Sequence, residues 1–298
     1  MILVIGIELI PVGIKYAAGG AADFQINNPA WGDFSRWRLA LVVIIVALIM
    51  KFMTTGILSS AAILIGLIAG YIIAILMGQV NFAGVAKADW FAIPQPFKYG
   101  FDFNVAAIIG ICLMSIVSAI ETVGDISGIT KGGANREATD QELAGGTFAD
   151  GIGTAVAGVF GGLPNTSFSQ NVGLISMTGV MSRAVVTTGA IFLIICGLVP
   201  KVGAIIAAMP ISVLGGGVIV MFGMVASAGT NMLADVVWNR RNMMILALSL
   251  AFGLGLHLEP KALQHLPQTA QVLLASGLLP AAFLAVVLNL ILPQEDKA

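Results

Sequence analysis

Residues 162–179 read Gly-Leu-Pro-Asn-Thr-Ser-Phe-Ser-Gln-Asn-Val-Gly-Leu-Ile-Ser-Met-Thr-Gly, a polar stretch set between two strongly apolar runs. A continuous membrane helix is not written this way. Pro164 and the glycines interrupt helix, while Asn165, Thr166, Ser167, Ser169, Gln170 and Asn171 supply a dense set of donors and acceptors. Irregular backbone at membrane depth is tolerated only where protein or a water-filled cavity surrounds it, so the pattern predicts a broken helix lining a polar, substrate-sized site. The competing reading is an ordinary loop outside the bilayer. The rest of the chain decides what the surrounding solvent is. Of 298 residues, 58% are hydrophobic and only 10% charged, where a water-soluble domain carries about 25% charged residues. This composition belongs to an integral membrane protein. The net charge of −1 excludes a nucleic-acid partner, which needs a basic surface. Cys112 and Cys196 both sit in apolar runs without metal-ligand spacing and read as structural thiols. The 36 glycines favour a compact polytopic bundle, because small residues let membrane helices approach closely.

In chain order, residues 1–13 are apolar from the first position but too short to cross a bilayer, which takes about 20 residues, and read as the second half of a helix. A polar connection over 15–38 leads to spans at 39–53 and 57–77. The segment 78–102 mixes Asn, Lys, Asp and Pro with Trp90, Phe91, Phe97 and Tyr99, a composition suited to the membrane interface. A span at 104–130, a polar loop over 131–142 and a small-residue helix at 148–160 precede the broken stretch. Spans at 184–199, 213–228, 243–256 and 272–292 follow, then a solvated tail. Basic residues divide equally between the two sides of this layout, so charge sets no orientation.

The informative residues are acids inside apolar segments. Glu121, Asp125 and Asp150 would each cost about 2.5 to 3.5 kcal/mol at the centre of a lone membrane helix, which implies water, partners or protonation. Glu121 and Asp125 are four apart and stack on one helical face. Two such carboxylates in a low-dielectric cleft resist double ionisation and titrate as a coupled pair, a means of linking proton uptake to substrate binding. The plainer alternative is charges at helix ends in the interface. Glu8 receives no role, and His257 and His265 read as interfacial or solvated. No cofactor or metal site is called for.

The pieces Glu121-Thr-Val-Gly-Asp125, Ala149-Asp150-Gly151, the run from Pro164 to Gly173 and Thr178-Gly179 resemble the nucleobase-ascorbate transporter family, also called nucleobase:cation symporter-2. Its signature is Gln, Glu or Pro, then Asn, any residue and Gly, and, after four intervening residues, Thr followed by Arg, Lys or Gly. Gln170 through Gly179 fits every fixed position. Pro210-Ile-Ser-Val-Leu-Gly-Gly-Gly and Met221-Phe-Gly-Met-Val-Ala are similar to the family as well. The resemblance implies an all-α polytopic fold of two inverted seven-segment repeats forming core and gate domains, with a short strand and a half-helix in the broken segment. By that pattern residues 1–103 are a partial gate domain, 104–209 the core part holding the substrate and 210–298 the gate part of the second repeat. The first four segments are then missing, and the resemblance implies either an N-terminally truncated chain or a missing half that another polypeptide supplies.

The same resemblance assigns roles. Glu121 and Gln170 bind the base; Phe168, Ser169, Val172 and Gly173 line it; Asp125, Asp150, Asn171 and Thr178 form the coupling network. A purine edge alternates N–H donors with carbonyl acceptors, which a carboxylate at 121 and a planar amide at 170 match. A half-helix starting near Asn171 would aim backbone N–H groups at the substrate. Gln at the first signature position resembles xanthine and urate carriers, so the expected activity is secondary transport of xanthine or uric acid across the cytoplasmic (inner) membrane by proton symport, without enzymatic turnover. The expected partners are a purine nucleobase, a proton, the lipid bilayer and a second copy in a homodimer. A uracil or other pyrimidine permease, and a non-transporting fragment or accessory subunit, stand as alternatives.

Overall fold

A backbone surrounded by hydrocarbon must satisfy its own hydrogen bonds, and the apolar runs of this chain do so as helices. The computed structural model describes residues 2–26, 28–168, 171, 172, 175, 180–234 and 236–293. Its principal helices are α1 (Ile2–Ala17), α2 (Phe34–Met53), α3 (Ala62–Leu76), α4 (Val105–Ala134), α5 (Asp140–Val159), α6 (Arg183–Leu198), α7 (Pro200–Ala207), α8 (Ile211–Leu233), α9 (Arg240–Leu258), α10 (Gln268–Ala275) and α11 (Leu278–Ile291). Among the described residues none is a strand, and the fold is mostly helical. Among the described residues three helices are long and apolar enough to cross a membrane, within α4, α8 and α9, and α6 with α7, bent by 85°, are so only when taken as one broken span. The bend has a local cause: Val199 precedes Pro200 and leaves the helical region at φ −111°, ψ 87°, because a following proline ring crowds it there.

Several expected spans are redrawn. The first helix runs to Ala17 and takes in Lys15. The span expected at 57–77 is a short helix, Ile57–Ser60, followed by α3. The span expected at 272–292 breaks after α10: Gly277 adopts φ +68°, a left-handed turn that glycine alone takes without strain.

Contacts divide the chain into two units, one of Met1–Glu8, Pro96–Ser176 and Met224–Ala298, the other of Leu9–Gln95 and Met177–Gly223. In the second unit, Leu39, Val43, Ala74 and Val213 form a buried core, with Leu67, Ile73, Val80 and Met209 against it. One face of α3 presents Ala62, Gly66, Gly70 and Ala74, spaced by four and all buried. A methyl on Gly66 would stand 2.7 Å from the Val43 carbonyl oxygen, so α2 and α3 meet at backbone distance, as small residues spaced by four allow. Gly215, Gly216 and Gly217 extend this packing in three directions, toward Ala17 of α1, Ala40 of α2 and Leu67 of α3. At about 100° per residue, three successive positions on a helix face three neighbours. The 78–102 segment is exposed at Trp90, Phe91, Phe97 and Tyr99, with Lys201 stacked 4.8 Å from the Trp90 ring centre.

In the first unit, α9 packs on α11 with Gly253 against Ala281. Arg241 fastens the ends, donating from Nε to the Leu292 carbonyl at 3.1 Å and from Nη2 to Asn289 Oδ1 at 2.9 Å. The same unit carries the hairpin of α4 and α5, which positions the candidate site.

Candidate functional site

The α4–α5 hairpin is fixed at its turn by sequence. Asn135 ends α4 in the left-handed region at φ 51°, a conformation asparagine tolerates. Thr139 begins α5 with a capping box: its hydroxyl accepts from the Glu142 N–H at 3.3 Å, and Glu142 Oε2 accepts from the Thr139 N–H at 3.0 Å. Arg136 holds the Glu142 carboxylate from outside, with Nη1 to Oε2 at 2.8 Å. This guanidinium, then the Thr139 N–H and hydroxyl, lower the Glu142 pKa to about 2. The short turn lays the start of α5 against the second half of α4, where Gly146 lets the Ile126 side chain approach.

That apposition brings the acids together. Ser118, Glu121, Thr122 and Asp125 lie on one stripe of α4, and Asp150 meets the stripe from α5. Ser118 Oγ lies 3.1 Å from Asp150 Oδ2, and Thr122 Oγ1 lies 3.4 Å from the same oxygen. The polar stretch then closes over the stripe. Thr166 Oγ1 donates to Glu121 Oε2 at 3.3 Å, and Ser167 Oγ donates to Asp125 Oδ2 at 2.5 Å. Cross-links run from Ser118 Oγ to Thr166 Oγ1 at 3.2 Å and from Thr122 Oγ1 to Ser167 Oγ at 3.4 Å. Asp125 is 2% exposed and Thr122 4%, whereas Glu121 and Asp150 are half-buried. A buried carboxylate is tolerable when hydroxyls replace its water.

The stretch is anchored upstream. Thr154 Oγ1 accepts from the Asn165 N–H at 3.0 Å and donates to the Asn165 carbonyl at 3.4 Å. Gly153 makes room: a methyl there would stand 2.6 Å from the Asn165 amide nitrogen. Of residues 166–169, where a short strand was expected, Thr166–Phe168 carry no regular secondary structure, and no strand lies among the described residues to pair with them; just upstream, the Asn165 backbone is satisfied by a side chain on α5. Downstream, Asn171, Val172 and Ile175 are helical, and the Asn171 N–H donates to the Phe168 carbonyl at 2.9 Å. Phe168 is 55% exposed. Ser169, Gln170, Gly173 and Thr178 lie outside the described residues.

Sequence reasoning paired Glu121 with Asp125 and placed Asp150 in the same network; the three contact different hydroxyls, which are linked by Ser118–Thr166 and Thr122–Ser167. Ser118, Thr122 and Thr154 were missed. The first two were readable, because Ser118, Glu121, Thr122 and Asp125 repeat at three- and four-residue spacing, the mark of one helical face. An open apolar concavity of about 760 Å³ lies elsewhere on the hairpin, lined by Val123, Leu143, Phe148 and Ile152 among others, and includes none of the network side chains. Among the described residues no cluster of His, Cys, Asp and Glu could hold a metal ion.

The model of the Permease family, Xan_ur_permease, matches residues 1–262. The chain belongs to this family, the nucleobase-ascorbate transporters. It is 33% identical over 299 residues to uric acid permease PucJ of Bacillus subtilis, covering 100% of the chain and 66% of that protein. It is 36% identical over 305 residues to a xanthine permease of the same organism, covering 100% of the chain and 67% of the relative. Xanthine permease XanQ of Escherichia coli K12 is 36% identical over 296 residues, covering 98% of the chain and 63% of the relative. The chain thus spans about two thirds of the length of the curated relatives it matches. The family is one of permeases and not of enzymes.

Proposed function

We propose that the chain carries secondary active transport of a purine nucleobase, xanthine or uric acid, across the cytoplasmic membrane by proton symport. The observation that carries this reading is the convergence of Glu121, Asp125 and Asp150 on the hydroxyls of Ser118, Thr122, Thr166 and Ser167 beside a broken helix. Such a cluster offers acceptors to the N–H edge of a flat heterocycle and can exchange a proton. The names of the relatives support the substrate class.

In this reading residues 104–209 form the substrate-holding part of an inverted-repeat transporter. Glu121 accepts from ring N–H groups, and Gln170 presents a donor and an acceptor to the base. Phe168, Ser169, Val172 and Gly173 line it, while Asp125, Asp150, Asn171 and Thr178 hold the network. The protein works in the membrane as a homodimer. A neutral purine moving with one proton gains about 2.3 kcal/mol per 100 mV, enough for roughly fifty-fold accumulation.

The test is uptake of labelled xanthine into membrane vesicles under an imposed proton gradient, with urate and uracil as competitors. Competition by xanthine and urate, and loss of binding in Glu121→Ala, are expected. Competition by uracil alone, or unchanged xanthine affinity in Glu121→Ala, overturns the reading.

A further inference from the structure

The hydroxyls among the three carboxylates have fewer protons than contacts. Six contacts join Ser118, Thr122, Thr166 and Ser167 to one another and to Glu121, Asp125 and Asp150. Each hydroxyl has a single proton to donate. Thr166 and Ser167 direct theirs to Glu121 and Asp125, which leaves the protons of Ser118 and Thr122 to serve four contacts. With every carboxylate ionised, Ser118 must choose between Asp150 and Thr166. A proton on Asp150 removes the conflict at Ser118: five protons then serve five of the six contacts, and the one left without a proton is the Thr122–Asp150 contact at 3.4 Å. Asp150 Oδ2 then donates to Ser118, Ser118 to Thr166 and Thr166 to the Glu121 carboxylate, with each member satisfied. Reversing every hydroxyl satisfies the same positions with the proton on Glu121 and Asp150 ionised.

We propose that Ser118 and Thr166 form a proton relay between Asp150 and Glu121, with a parallel branch through Thr122 and Ser167 to Asp125. This rests on the proton-coupling reading above and names the route the proton takes. The step is balanced. The O–H bond of Asp150 breaks as its proton passes to Ser118 Oγ; the Ser118 proton passes to Thr166 Oγ1, and the Thr166 proton to Glu121 Oε2. Both hydroxyls end neutral and turned around, and the negative charge has moved from Glu121 to Asp150. Links of 3.1, 3.2 and 3.3 Å make up the Ser118 branch, while the Thr122 branch holds two of 3.4 Å, so the first carries the larger share. The titratable groups facing the hydroxyls are Glu121 and Asp125 from α4 and Asp150 from α5. Residues 163–168 and α11, which packs on α4, have none. Ser118, Thr122, Thr166 and Ser167 are positioning residues here, and a transported proton placed at Asp150 reaches the base-binding carboxylate through their hydroxyls.

The experiment is time-resolved infrared spectroscopy of the full chain in lipid vesicles after a pH jump, with the carboxyl bands assigned by Asp150→Asn and Glu121→Gln. In the unmodified protein the Asp150 and Glu121 bands relax together. In Ser118→Ala combined with Thr122→Val, Glu121 lags on the order of a hundredfold, the low end of what positioned proton transfer contributes. Ser118→Thr restores joint relaxation, which a purely structural role does not require. In the double variant the ratio of proton-driven purine uptake to counterflow falls roughly tenfold, less than the proton step itself because carrier motions also limit turnover. Joint relaxation that survives in the double variant overturns the relay, even where uptake is proton-driven. Joint relaxation lost in the double variant upholds it, even if the unmodified protein moves no purine; only the transport reading then fails.

Discussion

Replacing Thr154 with valine keeps the shape of the side chain and removes one hydroxyl. That hydroxyl is what the backbone of Asn165 binds, accepting its N–H at 3.0 Å and donating to its carbonyl at 3.4 Å. The shorter bond contributes about 1 kcal/mol and the longer one less, so the loss is about 1 to 2 kcal/mol. Asn165 immediately precedes Thr166 and Ser167, whose hydroxyls cap Glu121 and Asp125. The freed segment must be re-ordered each time substrate binds, and the cost therefore appears as weakened affinity. At 1.4 kcal/mol per tenfold, Thr154→Val weakens purine binding roughly 5- to 30-fold. Equilibrium binding of labelled xanthine to membranes, calibrated by protein abundance, measures it. Thr154→Ser retains the oxygen and recovers most of the affinity. Wild-type affinity in Thr154→Val refutes the idea that α5 holds the polar stretch in place.

Further outcomes follow from other contacts. Gly216→Ala places a methyl 2.5 Å from the Ala40 carbonyl oxygen and 2.8 Å from Val43 Cβ; overpacking of this kind costs about 1 to 3 kcal/mol, read as a lowered unfolding temperature in detergent. Gly189→Ala in α6 meets nothing within 4 Å and raises stability by about 0.5 to 1 kcal/mol, since glycine weakens a helix interior. The Glu142 carboxyl is held at about 2 against an ordinary 4.5, so its contribution to stability is complete above about pH 4.5 and is lost as the pH falls through about 2. Acid titration of the unfolding temperature shows that slope, and Glu142→Gln flattens it.

The parts of the site that sequence revealed are those encoded locally. The start of α5 was not among them: residues 131–142 were expected as a polar loop and the helix only from 148, whereas Thr139 and Glu142 form a capping box that starts it at Asp140. The acids were conspicuous because charge in an apolar run demands compensation, and Glu121, Asp125 and Asp150 each meet a hydroxyl, the hydroxyls in turn contacting one another. Thr154 was illegible: a threonine in a small-residue helix has many bland uses, and its pairing with Asn165 depends on how α5 leads into the polar stretch. The strand is absent at Thr166–Phe168 because a ladder needs a second strand, and none lies among the described residues. The break at Gly277 was hidden because Leu278–Ile291 is as apolar as a spanning helix, and hydropathy is blind to one left-handed turn.

The three successive glycines of α8 act as a rotational lock. Turning α8 about its axis in either sense would drive Gly215, Gly216 or Gly217 off its neighbour and bring a bulkier side chain against Ala17, Ala40 or Leu67. Sliding along the axis meets the same obstacle at the next residue, because Leu214 and Val218 flank the small surface. The helices gathered at this vertex are therefore geared together: none of the three neighbours can shift without α8 shifting with it.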